Sequence, residues 1–102
     1  GGINQIHYAM AKSGLLGFTK SLARLYAKNS ITVNAVSPGL VATDMTANEI
    51  NSNEGKLKIQ QIPIGRIAEM DEIIPAIIFL SKDCSSYITG QCINVNGGMY
   101  FG

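Results

Sequence analysis

The run Ile31-Thr32-Val33-Asn34-Ala35-Val36-Ser37-Pro38-Gly39 restricts the fold more than any other stretch of this chain. It is β-branched and mostly apolar, without clean alternation, as expected of a strand covered on both faces in a parallel sheet. Ser37-Pro38-Gly39 is predicted to end it, because Pro cannot continue the ladder and Gly permits positive φ. Just upstream, Ala11, Leu15, Phe18, Leu22 and Leu25 or Tyr26 recur at helical spacing, predicting a helix from about Tyr8 to Lys28. Asn29 suits its end, where a left-handed residue is often needed. Helix, short turn and buried strand make half of a right-handed βαβ crossover, whose first strand would precede residue 1. Ligand sites in such sheets gather at the carboxyl ends of strands, which places residues 38–44 beside a cofactor. The opening Gly1-Gly2-Ile3 lacks an initiator Met and runs straight into helical pattern, as expected for the C-terminal part of a longer protein.

Beyond Thr43 the chain turns polar as far as Gln61, and two short helices broken near Asn53-Glu54-Gly55 are predicted there. Such a segment after a ligand-facing loop reads either as a lid or as a mobile surface loop. Ile62 to Arg66 is a turn. The helix after it should start near Met70 or Asp71 and run to about Ser81, with Pro75 in its first turn and acidic Glu69, Asp71 and Glu72 at its positive end. Thr89-Gly90-Gln91 is a turn, Cys92 to Val95 a final strand, and Asn96-Gly97-Gly98 its close. The order is that of the back half of an α/β sandwich, with too few strands to complete a sheet.

Composition excludes several classes. A net charge of +1 without a basic cluster offers no footprint for nucleic acid, and no run is long enough to span a bilayer. The 15% of charged residues is low for 102 residues, so part of the surface should be apolar or covered, by further sequence or by a partner subunit. Cys84, Cys92 and the single His7 have no metal spacing, and no metal site is predicted. The two Cys could form one disulfide; free thiols in a reducing cytoplasm are the preferred reading.

The candidate chemistry lies in His7-Tyr8-Ala9-Met10-Ala11-Lys12-Ser13-Gly14. On a helix Tyr8 and Lys12 stand one above the other. An ammonium beside a phenol favours the phenolate, which helps a proton move at neutral pH. The same spacing also describes an ordinary surface Tyr and Lys. Ala9, Ala11, Ser13, Gly14 and Gly17 make this half of the helix small-sided, which a packed neighbouring helix or a bound ligand would explain. His7, Arg66 and Glu72 read as surface, interface or helix-entrance residues.

Tyr8-Ala-Met-Ala-Lys12-Ser-Gly, Ile31-Thr-Val-Asn34-Ala-Val-Ser-Pro38-Gly39, Thr43-Asp-Met, Tyr87-Ile-Thr-Gly90 and Val95-Asn-Gly-Gly98 follow in order along essentially the whole chain. Together they resemble the short-chain dehydrogenase/reductase family, and the ending from Ile88 to Tyr100 is most like its 3-oxoacyl-(acyl-carrier-protein) reductase branch. The resemblance implies the C-terminal half of a Rossmann-like, doubly wound parallel sheet in a three-layer α/β/α sandwich. It implies Tyr8 as general acid toward a carbonyl oxygen and as one of the residues lining the cofactor. Lys12 would favour the Tyr8 phenolate and bond the nicotinamide ribose. Pro38 and Gly39 would border the nicotinamide, with the Val41 main chain and the Thr43 hydroxyl at its carboxamide. NADP(H) is implied over NAD(H). The family's usual homotetramer would form through the Tyr8–Lys28 helix and the last helix and strand. The Gly-rich phosphate turn, a catalytic Ser and the residue that chooses between NAD and NADP would all lie upstream of Gly1, and the 102 residues alone are not expected to catalyse. Two other readings stay open: a relative acting on a sugar, polyol or secondary alcohol, and a non-catalytic dinucleotide-binding or scaffold protein.

Overall fold

The computed structural model describes residues 2–43 and 47–101, with side chains from Ile6 onward, so Asp44 and Met45 of the third motif lie outside the described residues. Their order is α1 (Gly2–Tyr26), a 3-10 turn (Ala27–Asn29), β1 (Ala35–Pro38), α2 (Ala47–Asn51), α3 (Asn53–Gln60), α4 (Met70–Ser81), a 3-10 turn (Asp83–Ser85) and β2 (Cys92–Val95). β1 and β2 pair with each other. The Ala35 N–H donates to the Gln91 carbonyl at 2.9 Å and the Gly39 N–H to the Val95 carbonyl at 3.0 Å. Both strands advance by the same number of residues between these bonds, so the pair is parallel. The class is the α/β one read from the sequence.

The residues group into two compact units. The first joins the residues through Ala35 with Lys82–Cys92. Here α1 begins well before Tyr8 and ends at Tyr26. The left-handed residue is Ser30, at φ 61°, and not Asn29, because a 3-10 turn intervenes before the chain reverses. The helix buries Thr19 and Ala23, with Leu16 and Leu22 half-buried beside them. Leu15, Phe18, Leu25 and Tyr26 of the expected apolar stripe face outward. Period alone marks an apolar face without saying what covers it, and α1 is apolar on two adjacent faces.

The strand also starts later than the sequence suggests. Ile31 to Asn34 are not in a ladder. The Val33 N–H donates to Thr89 Oγ1 at 3.0 Å and its carbonyl accepts from the Gly90 N–H at 2.8 Å. Asn34 spans the same loop, Nδ2 donating to the Ile88 carbonyl and Oδ1 accepting from the Gln91 N–H, both at 3.0 Å. Gly90, at φ 73°, lets this loop lie against Ala23. Asn34→Asp removes the donor and sets a carboxylate against the Ile88 carbonyl. It is expected to destabilise the intact protein by about 1–3 kcal/mol, read as a lower denaturation midpoint. An unchanged midpoint would mean that Asn34 does not hold the loop.

The second unit takes Val36–Ser81 with the residues from Ile93 on. Its buried apolar residues are Ile62 and Ile73. A parallel bridge pairs Val41 with Ala68. The polar segment forms two short helices as expected, but the break falls at Ser52 and leaves Asn53, Glu54 and Gly55 inside α3; Ser52 Oγ accepts from the Gly55 N–H at 3.0 Å as N-cap. α4 has the predicted bounds, but Pro75 stands in its second turn and removes the donor that would reach the Asp71 carbonyl. Ile74, Ile77, Ile78 and Phe79 leave much of α4 apolar and exposed. Among the described residues no helix is long and apolar enough to cross a membrane.

Candidate active site

Tyr8 and Lys12 lie in the unbroken part of α1, one turn apart on one face, where i and i+4 side chains are neighbours. Tyr8 is 63% exposed and Lys12 half-buried. A Cβ added at Gly14 or Gly17 would meet no atom within 4 Å, so nothing described in this chain takes up the space those small residues open. His7 beside Tyr8 is exposed, as is Cys84; Cys92 is half-buried, and neither thiol is in a disulfide.

The other predicted residues follow one another in the second unit. Pro38 closes β1. The N–H groups of Ala35 and Gly39, on either side of it, face β2, so the alternation of the strand turns position 38 away and the missing Pro38 donor costs no ladder bond. Gly39 is not at positive φ, contrary to the expectation for it. Its lack of a side chain matters for another reason: a Cβ there would stand 2.9 Å from the Asn96 Cβ and 3.0 Å from the Asn96 Cα. Asn96, which sequence reading assigned no role beyond a turn, is therefore the buttress of Gly39. Its Oδ1 accepts from the Gly98 N–H and its Nδ2 donates to the Tyr100 carbonyl, each at 3.1 Å.

Past Gly39 the Leu40 carbonyl accepts from the Ala68 N–H at 3.0 Å, and the Ala42 N–H donates to the Ala68 carbonyl at 2.8 Å. A parallel bridge uses the groups flanking the central residue, so the N–H and C=O of Val41 point to the opposite edge. Thr43 is half-buried at the end of the described stretch. Ala68 escaped sequence reading because its partner is a main chain far away in sequence, and an Ala carries no pattern.

Near Ala68 the Arg66 guanidinium grips the Glu72 carboxylate with both of its outer nitrogens, at 2.7 and 2.8 Å. Glu72 Oε1 also accepts from the Glu69 N–H at 3.0 Å, half of a capping box at the start of α4. Hydrogen bonds from Arg66 and from the Glu69 main chain hold the Glu72 carboxyl down to about 2, so it is ionised at any working pH. The Arg66 pKa is raised in turn, first by its hydrogen bonds to Glu72. The reading of this pair as the organiser of a helix entrance agrees with that geometry.

A family model described as enoyl-(acyl carrier protein) reductase matches residues 1–100. The chain belongs to the short-chain dehydrogenase/reductase family. It is 52% identical over 100 residues to the 3-oxoacyl-(acyl-carrier-protein) reductase FabG of Buchnera aphidicola subsp. Schizaphis graminum, a match covering 98% of this chain and 41% of that protein. To the reductase of the same name from Aquifex aeolicus it is 48% identical over 101 residues, covering 98% and 40%. A double-substituted Serratia marcescens short-chain dehydrogenase/reductase of known structure superposes with a TM-score of 0.81 at 39% identity, covering 90% of this chain and 37% of that one. The α/β elements are thus those of a partial Rossmann-like fold, and the chain spans about two fifths of the length of the curated relatives it matches.

Proposed function

We propose that the intact protein reduces 3-oxoacyl thioesters carried on acyl carrier protein to the 3-hydroxyacyl forms with NADP(H), in cytoplasmic fatty acid synthesis. The observation that carries this reading is the placement of Tyr8 and Lys12 one turn apart on α1, in a chain about half identical to relatives named for that reaction. Residues 1–102 are read as the C-terminal part of a single Rossmann-like domain, in keeping with the 41% of the relative's length that they cover.

Residues 38–43 of the second unit fit the nicotinamide end of a dinucleotide. Pro38 and Gly39 bring no long side chain to the end of β1, and the main chain of Gly39 is drawn against Asn96. The Val41 peptide groups are turned away from Ala68, and Thr43 adds a hydroxyl. For Lys12, in the first unit, the family resemblance implies a bond to the ribose hydroxyls, which its several ammonium donors suit. When bound, a reduced nicotinamide supplies a hydride. Tyr8 gives its phenolic proton to the substrate's carbonyl oxygen, and Lys12 steadies the phenolate left behind. The carbonyl becomes a secondary alcohol, with the phenolate to be reprotonated before the next turnover. The polar α2–α3 segment after Thr43 is read as the cover over the acyl substrate.

Oligomer contacts are proposed on the outward face of α1 at Leu15, Phe18 and Leu25, and on the last helix and strand, where Ile77, Ile78 and Phe79 are exposed. Large apolar surface of that kind marks a binding face. The substrate class is tested on the intact enzyme by following oxidation of reduced cofactor with a 3-oxoacyl thioester, a set of sugars and polyols in both directions, and simple ketones. A clear preference for the thioester is expected. Turnover of a sugar or polyol in its place would move the protein to another branch of the family, and no turnover of any would favour a non-catalytic binding role.

A further inference from the structure

Arg66 and Glu72 are exposed, and an isolated exposed ion pair contributes little. This one is built differently. Four hydrogen bonds meet in it: two from the guanidinium fork to the carboxylate, one from the Glu69 N–H to Glu72 Oε1, and one from Arg66 Nη1 to the Ile67 carbonyl at 3.2 Å. The ends of a short loop are thereby tied together, and Ala68 is in its middle. Ala68 bonds the Leu40 carbonyl through its N–H and the Ala42 N–H through its carbonyl. A cavity of about 150 Å³ lies beside them, with Leu40, Ile62, Arg66, Ala68, Glu72 and Asn96 among its lining residues.

We propose that Arg66 and Glu72 are positioning residues for the nicotinamide-facing main chain at Val41, acting through Ala68; this rests on the assignment of Val41 made above. A bidentate fork fixes direction as well as distance, which a lysine ammonium does not. With Ala68 held, the bridge fixes the planes of the peptides on either side of Val41 and so the aim of the Val41 N–H and C=O. Loosening the fork lets the loop and the bridged strand move together. The loss then falls on the nicotinamide end of the cofactor and spares the adenosine end.

The test uses the intact enzyme carrying Glu72→Gln or Arg66→Lys. Binding is titrated with the reduced dinucleotide the enzyme turns over and with the matching fragment that lacks the nicotinamide ring. The expected result is a Kd for the dinucleotide raised about threefold to tenfold, with the fragment's Kd unchanged. Equal weakening of both would mark a merely structural role and overturn the proposal, as would no change in either. Arg66→Lys retains the charge and supplies the comparison if Glu72→Gln does not fold. Thr43→Val is run beside them. If Thr43→Val changes the ratio of the two affinities and the pair variants do not, the positioning role of Arg66 and Glu72 alone falls. If none of the three changes it, the nicotinamide assignment of residues 38–43 falls, and that positioning role with it.

Discussion

Tyr8→Phe in the intact enzyme is expected to lower kcat for the 3-oxoacyl thioester by about 10²–10⁴-fold, the range general acids contribute. That corresponds to about 3–5 kcal/mol of transition-state stabilisation. The substitution removes one hydroxyl and keeps the ring. α1 should be undisturbed, because Tyr8 is 63% exposed and packs little within this chain. Dinucleotide affinity should stay within about twofold of the parent, since Lys12, Pro38, Gly39, Val41 and Thr43 all remain. Steady-state kinetics with a separate cofactor titration separates the two effects. Reduction of the thioester at the parent rate would remove Tyr8 from the chemistry. Loss of cofactor binding in parallel would make it a binding residue instead.

Gly55→Ala carries the second large effect. Gly55 is buried inside α3, and a Cβ there would collide with the Glu49 carbonyl oxygen, 2.9 Å from the Glu49 carbonyl carbon and 3.1 Å from the Ile50 Cα. These are backbone atoms at the end of α2, and no rotamer relieves them. Ser52 fastens the same corner, its Oγ donating to the Glu49 carbonyl at 2.6 Å and accepting from the Gly55 N–H at 3.0 Å. Overpacking costs about 1–3 kcal/mol, and a collision with main chain belongs at the upper end or above. The segment is polar and mostly exposed, so it should open locally before the protein unfolds. Amide exchange should accelerate through residues 47–60 while the global midpoint moves little. If α2–α3 covers the acyl substrate, KM for the thioester should rise and cofactor affinity should not. Parental exchange protection in this segment would show that the two helices are not packed through Gly55.

Much of this chain could be read locally. The bounds of α4 follow from acidic residues at one end, apolar spacing after them and Lys82 beyond, and each signal acts within a turn or two of the residue that carries it. The strand Cys92–Val95 and the turns around Gly90 and Gly97 are equally local. In the same way the Tyr8 and Lys12 spacing needs only a helix to become a pair on one face. Where reading failed, the deciding partner was far off in sequence. Ile31 to Asn34 have strand composition, but their hydrogen bonds go to residues 88–91, so a loop takes them in place of a ladder. Composition records that a segment suits an extended backbone and leaves open what it pairs with.

α1 shows the same division. Its apolar period was visible, yet the stripe through Leu15 and Phe18 faces outward while Thr19 and Ala23 are buried. Ala23 is buried next to Gly90 of the loop before β2, where an added Cβ would lie 3.5 Å from the Ala23 Cβ. On its own the sequence determined the class of fold, the family, the helix that bears Tyr8 and Lys12, and the strand end at Pro38-Gly39. Tertiary structure alone decided that Gly39 is a glycine for the sake of Asn96 and that the Ala68 main chain bridges the residues on either side of Val41. Propensity, capping and charge act over a few residues and leave a mark in the sequence. Contact between backbones tens of residues apart depends on position in space, and an Ala or a Gly that makes it bears no local sign of its partner.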